Sequence, residues 1–299
     1  LFVGDLALTG PLFLRLEQLN RASSSPTVFP FDAVADRIQA ADISVGNLEC
    51  VPSPIGRPVQ GIYPLRAPVA ALTVLKNAGF DILSVANNHA RDLGAEGRDD
   101  MLRRLRKAQF GIIGEQDAMP QAPSPVVQQV KGIHVGFIAY FNIDPKRAAR
   151  ETALAKQGLD ILVVFNHWGY EGKPDILEEQ RSLGHAMIDS GADIVVGTHA
   201  HVVQPDEWYK NGYLAYGLGN FVFPGMSHRP NQDVGVLLEI TVDKGGVVDR
   251  TVRRVRLNEM GVPAWTNEEP NHQRKPDRTG QNGHPDGVQP NTAVSRARS

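Results

Sequence analysis

The stretch Asp193-Ile194-Val195-Val196-Gly197-Thr198-His199-Ala200-His201 decides the reading of this chain. Three β-branched residues run into a glycine, and two imidazoles follow, one residue apart. A short apolar run bounded by turn residues predicts a buried strand. Residues 193–197 are therefore assigned to a strand, and His199 and His201 to the turn that leaves it. Upstream, Ile176, Leu177, Gln180, Leu183 and Met187 recur at helical spacing.

The same alternation extends towards the amino end. Strands are predicted at 1–4, 42–46, 81–86, 111–114, 133–140 and 160–166. Val69, Leu72 and Leu75 mark a helix that Pro68 opens and Gly79 closes, and Met101, Leu102 and Leu105 mark another. Such alternation predicts βαβ units in a parallel or mixed sheet. Beyond His201, residues 207–210, 213–216, 220–223, 234–242 and 247–257 read as strands joined by short turns, with Asn211-Gly212 as a hairpin signal. They predict a second, antiparallel sheet. Two sheets with helices outside make an α/β fold, a four-layer α/β/β/α sandwich.

The totals bound what such a fold does. With 299 residues, 41% of them hydrophobic, the chain can bury the core of one large domain or two small ones. Its 31 basic and 33 acidic residues leave a net charge of -2, which supplies no single-sign field for nucleic acid. Cys50 is the only cysteine, which excludes an intrachain disulfide and a cysteine-based zinc site. No apolar run approaches the roughly 18 residues of a membrane span. The sequence opens at Leu1 directly on a strand-like run, so membrane contact is expected only through a segment preceding it. From Thr266 to Ser299 there is no Leu, Ile, Phe, Tyr or Trp. Such a segment buries too little apolar surface to offset its ordering entropy. Residues 1–260 are expected to form the domain, and residues 261–299 a disordered tail.

Ligand-type residues fall at strand ends. Asp5 follows the first strand, Glu49 the second and Asn87-Asn88-His89 the third; His167 follows residues 160–166, and His199 and His201 follow 193–197. In an open α/β sheet, ligands bind outside the carboxyl ends of the strands. Each residue alone has a plainer role: Asp5 and the asparagines as turn-formers, Glu49 as a solvated loop residue, His167 as a structural histidine. Five coincident strand ends favour a metal centre. Imidazole, carboxylate and amide oxygen suit manganese, iron or zinc. Two such ions about 3.5–4 Å apart clamp an oxyanion and activate water.

The runs Gly4-Asp5, Asn47-Leu48-Glu49, Ala86-Asn87-Asn88-His89, His167-Trp168-Gly169, Gly197-Thr198-His199-Ala200-His201 and Gly217-Leu218-Gly219-Asn220-Phe221 occur in this order. The set resembles the CapA-type capsule and poly-γ-glutamate synthesis proteins, a variant of the calcineurin-like metallophosphoesterases, over residues 1–257. The resemblance implies a four-layer sandwich of the metallophosphoesterase type holding one or two divalent ions. Asp5, Glu49, Asn88, His167, His199 and His201 are the implied metal ligands, with Glu49 in the bridging place. His89 is the implied catalytic histidine, contacting the transition state or protonating the leaving group. Asp92 is a candidate to orient His89, or else caps the turn before Gly94. Arg66 is a candidate clamp for a carboxylate or phosphate, or else a surface arginine. Asn220 is a candidate substrate-pocket residue, or else part of a tight turn.

Two departures stand out. Where metallophosphoesterases carry Asp-X-His, this chain has Ala7, and the bridging aspartate is replaced by Glu49. The resemblance implies a metal-dependent hydrolase in capsule or poly-γ-glutamate metabolism, with an anionic polymer or a small phosphoester as substrate. Other capsule synthesis proteins are the implied partners, and the cell envelope the implied place. The competing reading is a non-catalytic polymer-binding or export component, which Ala7 favours and His89 opposes. A third is a nucleotide hydrolase outside capsule metabolism.

Overall fold

The computed structural model describes residues 1–22, 27–61, 63–115 and 124–276. In chain order the elements are β1 (Phe2–Leu6), α1 (Pro11–Ala22), α2 (Ala35–Ala40), β2 (Val45–Leu48), β3 (Val51–Pro52), β4 (Arg66–Ala67) and α3 (Ala70–Ala78). Next come β5 (Ile82–Ser84), α4 (Gly94–Lys107), β6 (Gly111–Ile113), β7 (Val126–Val130), β8 (Ile133–Phe141), α5 (Pro145–Ala155), β9 (Ile161–His167) and α6 (Glu178–Asp189). The remainder is strand: β10 (Ile194–Thr198), β11 (Asp206–Tyr209), β12 (Gly212–Ala215), β13 (Asn220–Val222), β14 (Val234–Asp243), β15 (Gly246–Leu257), β16 (Pro263–Trp265) and β17 (Asn271–Arg274).

Two large sheets result. The first runs β16-β15-β14-β1-β2-β5-β6, with β13 beside β1 and β17 beside β15. The second runs β11-β12-β10-β9-β8-β7. Leu12, Leu16, Ile38, Leu75 and Met101, from α1 to α4, pack with Val3, Leu48 and Leu83 on one face of the first sheet. Ala148, Ala155, Met187 and Ile188, from α5 and α6, pack on Leu162, Val164 and Val195 of the second. Between the sheets, Phe2, Val45 and Ile82 meet Phe137, Val163 and Val196. Alternate residues of each central strand therefore face opposite cores, which makes these strands apolar on both sides. Each fully buried Leu, Val or Phe stabilises the fold by about 1.5–3 kcal/mol. The layers are helices, sheet, sheet, helices, the four-layer α/β/β/α sandwich expected.

Two expectations are corrected. The strands after His201 do not form a sheet of their own. β12 adds parallel to β10, and β11 pairs antiparallel with β12, extending the second sheet. β13 and β14 flank β1 in the first. The edges of β1 and β10 present backbone N–H and C=O groups that need partners, and the late strands supply them. The second correction concerns residues 261–276. They include β16 and β17, both antiparallel to the long β15. Val262 packs on the first core, backbone bonding to the open edge of β15 orders β17, which has no apolar side chain, and Arg250 reinforces it. This buried guanidinium donates to the Asn271 carbonyl (2.8 Å) and pairs with Asp206 (2.9 Å). Residues 277–299 of the expected tail lie outside the described residues.

β1, β2 and β5 are mutually parallel in one sheet, as are β8, β9 and β10 in the other. Their carboxyl ends point to one edge, where the sheets converge. Among the described residues, no helix is long and apolar enough to cross a membrane.

Candidate metal centre

Asp5, Glu49, His167 and His201 are all buried at this edge. Asp5 and Asn47 are register partners across β1 and β2, and Thr198 and His167 across β10 and β9. The turn after β10 is strained: His199 has φ 89° and His201 φ 56°. Left-handed backbone at a residue bearing a Cβ costs on the order of 1–3 kcal/mol and persists only where the surroundings fix it. Here the Thr198 and Ala200 carbonyls accept from Trp168 N (3.1 Å) and Gly172 N (2.8 Å). Gly197 is required for this packing, since a Cβ there would overlap the Tyr216 carbonyl and Trp168 Nε1.

Glu49 joins two triads. Its carboxylate lies with His167 and His199 on one side, and with Asp5 and His201 on the other; within each triad the donor atoms all lie within 4.8 Å of one another. Glu49 Oε1 is 3.5 Å from His167 Nε2 and 3.9 Å from His201 Nε2. Both Glu49 oxygens and His199 Nδ1 are buried without a hydrogen-bond partner. A buried carboxylate in that state is costly unless a cation satisfies it. The donor set of carboxylate, imidazole and amide oxygen fits a divalent ion.

The electrostatics fit as well. Burial pushes the His167 imidazole down to about 3. Burial, then the neighbouring His167, pushes His199 down to about 4. Both are neutral at pH 7, with lone pairs open to a metal. Burial and then the Asp5 charge push the Glu49 carboxyl well above the usual carboxylate range. Burial acts against His201, but the Glu49 and Asp5 carboxylates outweigh it and lift His201 to about 9. Burial likewise opposes ionisation of Asp5, while the bond and charge of His201 bring it below its ordinary value.

A surrounding shell orients these groups. His167 Nδ1 lies 3.0 Å from Thr198 Oγ1, which donates to the Asn166 carbonyl (3.2 Å), and 3.3 Å from Asn47 Nδ2. These contacts turn His167 Nε2 towards Glu49 and Asn88, whose Oδ1 is 2.7 Å away. Asn47 Nδ2 donates to Asp5 Oδ1 (2.8 Å), and its Oδ1 accepts from Asn87 (3.0 Å). Sequence reasoning missed Asn47, Asn87 and Thr198 as orienting groups. A signal existed in residues 47 and 49, two polar side chains on one face of a strand run buried throughout.

His89 lies at the rim, half-buried, with Nδ1 2.8 Å from Asp92 Oδ2. Burial lowers its basicity, but the Asp92 bond and the Glu49 charge raise it above its ordinary value. Asp92 is buried and also accepts from Leu65 N (2.8 Å). Two candidates sit elsewhere than expected. Arg66 donates to the carbonyls of Ser53 (2.6 Å), Ile55 (3.3 Å) and Gly56 (2.9 Å), so it ties a loop and is not free to clamp an anion. Asn220 is fully buried behind His201 and lines no open pocket. Ala7 is buried and offers only its backbone, with N bonded to the Val222 carbonyl (2.7 Å). A cavity of about 160 Å³ opens beside His167 and His199, walled by Phe141, Asn142, Trp168 and Leu183.

The sequence profile of the bacterial capsule synthesis protein PGA_cap matches residues 1–225, a span that includes every ligand candidate named above. The chain belongs to the PGA_cap family. Among curated relatives, the PGA biosynthesis protein CapA of Bacillus subtilis (strain 168) is 30% identical over 245 residues, 74% of this chain and 62% of that protein. The capsule biosynthesis protein CapA of Bacillus anthracis is 33% identical over 182 residues, 53% of this chain and 44% of that protein. This PGA_cap chain thus spans less than two thirds of either relative. Among solved structures, a putative 5'-nucleotidase from Staphylococcus aureus in complex with alpha-ketoglutarate superposes with a TM-score of 0.48 at 15% identity, covering 94% of this chain and 55% of that one.

Proposed function

We propose that this PGA_cap domain is a metal-dependent hydrolase of capsule or poly-γ-glutamate metabolism, cleaving a phosphoester or a γ-glutamyl amide. The observation that carries the reading is Glu49, buried and unpartnered between two ligand triads. The names of the Bacillus relatives support the capsule and PGA context.

Divalent ions held there supply Lewis-acid polarisation of the substrate and activation of water. Glu49, Asn88, His167 and His199 would hold one ion, and Asp5, Glu49 and His201 the other. Thr198 and Asn47 hold the His167 ring, and Asn47 fixes the Asp5 rotamer. The cavity beside His167 and His199 gives a substrate access to the ions, while Asp5, Glu49 and His201 stay buried. His89, with its basicity raised, keeps a proton at the rim and delivers it to the departing oxygen or nitrogen. Asp92 holds the ring and balances its charge. General acid help of this kind contributes about 10²–10⁴-fold.

A second reading is a non-catalytic polymer-binding component, favoured by Ala7, which supplies no ligand. The His89→Ala variant separates the two. Under the first reading, ion content is unchanged and turnover of phosphoester or γ-glutamyl amide substrates falls about 10²–10⁴-fold. Absence of turnover in the wild type, with capsule function surviving His89→Ala, supports the second.

A further inference from the structure

The two sides of Glu49 are unequally furnished. One side has Asn88, His167 and His199 besides Glu49; the other has Asp5 and His201, and Ala7 leaves it one donor short. The missing donor need not come from β1. Asn220, on β13, is the register partner of Asp5 and has no exposed surface.

The amide of Asn220 is held in one orientation. Its Nδ2 donates to the carbonyls of Gln232 (2.9 Å) and His201 (3.3 Å), which can only accept. Oδ1 is therefore turned inward, 2.9 Å from His201 Nδ1. The same Nδ1 is 3.1 Å from Asp5 Oδ2. Donor atoms sharing an ion at about 2.0–2.2 Å lie about 3 Å apart when their bonds meet at right angles. The opposite side shows the same spacing, with Asn88 Oδ1 2.7 Å from His167 Nε2. The three atoms Asp5 Oδ2, His201 Nδ1 and Asn220 Oδ1 are thus spaced as neighbours around one ion.

Resting on the metal centre proposed above, we infer that Asn220 Oδ1 is the fourth protein donor on the Asp5 side, replacing the imidazole absent at Ala7, and that His201 binds through Nδ1. The Asp5 side then offers three oxygens and one nitrogen, and the His167 side two of each. Harder ions prefer oxygen. The oxygen-rich Asp5 side therefore favours zinc over manganese less strongly than the His167 side does.

The test uses the whole chain with ¹⁵N-labelled histidine, loaded with zinc on both sides. Two-bond ¹H–¹⁵N correlation reports which His201 nitrogen carries the proton, and the spectrum of His201→Gln assigns the signal. The expected result is Nε2–H with Nδ1 bound. Nδ1–H with Nε2 bound overturns the inference, because Asn220 then only accepts a hydrogen bond and orients the ring. In parallel, calorimetric zinc titration is expected to show one of two ions weakened more than 100-fold in Asn220→Ala and both retained in Asn220→Asp. Two unweakened ions in Asn220→Ala contradict the assignment alone. A wild type that takes up no ion after reconstitution overturns the metal centre with it.

Discussion

Glu49 Oε1 lies 3.5 Å from His167 Nε2, in a burial where neither Glu49 oxygen finds a hydrogen bond. A carboxylate oxygen and an imidazole nitrogen brought this close, with no hydrogen bond to the carboxylate, define a space that a cation completes. His201 stands on the other side of the same oxygen, with its Nε2 3.9 Å away. The predictions follow from this shared carboxylate and the shell that holds it.

Asp92→Asn probes the rim. Asp92 Oδ2 accepts from both His89 Nδ1 and Leu65 N, and its charge supports the raised basicity of His89. The variant is expected to keep its ions while the proton-dependent limb of turnover moves to lower pH and kcat falls by roughly tenfold. A pH profile identical to wild type contradicts the assigned role.

Without ions, the buried histidines make the protein acid-sensitive. His167 and His199 fall to about 3 and about 4 in the folded state, from an ordinary 6.5. Below pH 6.5 the unfolded chain takes up protons that the folded chain refuses. Stability present above 6.5 is therefore lost as pH falls towards 4, by about 1.4 kcal/mol per unit for each group, and protonation of the raised Glu49 carboxyl offsets part of the loss. Thermal unfolding in chelator from pH 7 to 4.5 is expected to show this fall, and a shallower one in His167→Gln. Equal slopes for the two proteins contradict it.

Much of this arrangement is legible in the sequence, and the reason is local. Gly4-Asp5, Glu49 and Thr198-His199-Ala200-His201 each follow an apolar run that can only be a central strand, so their convergence follows from parallel topology. What stays hidden is set by pairing over long distances. Asn220 reads as a turn residue until β13 is known to lie beside β1. Arg66 reads as a free cation until the loop at 53–56 is seen to fold over its guanidinium. Asn271–Arg274 reads as tail because its pairing to β15 is made by backbone and not by apolar side chains.

Arg66→Ala follows from that last contrast. Losing bonds to three carbonyls is expected to lower stability by about 1–3 kcal/mol and leave ion content unchanged. Urea unfolding beside metal analysis checks both. Unchanged stability with weakened substrate binding restores the anion-clamp reading.

Gly197→Ala tests the packing beneath the His199–His201 turn. Its Cβ would meet the Tyr216 carbonyl and Trp168 Nε1, both rigidly held. A loss of about 3 kcal/mol or more is expected in urea unfolding. A variant within about 0.5 kcal/mol of wild type means the turn relaxes freely.

The most direct measurement is metal content by inductively coupled plasma mass spectrometry, for the wild type beside Glu49→Ala and His199→Ala. About two equivalents in the wild type, none in Glu49→Ala and one in His199→Ala is the predicted result. No ion in the reconstituted wild type, or two ions retained in Glu49→Ala, contradicts the shared-carboxylate centre.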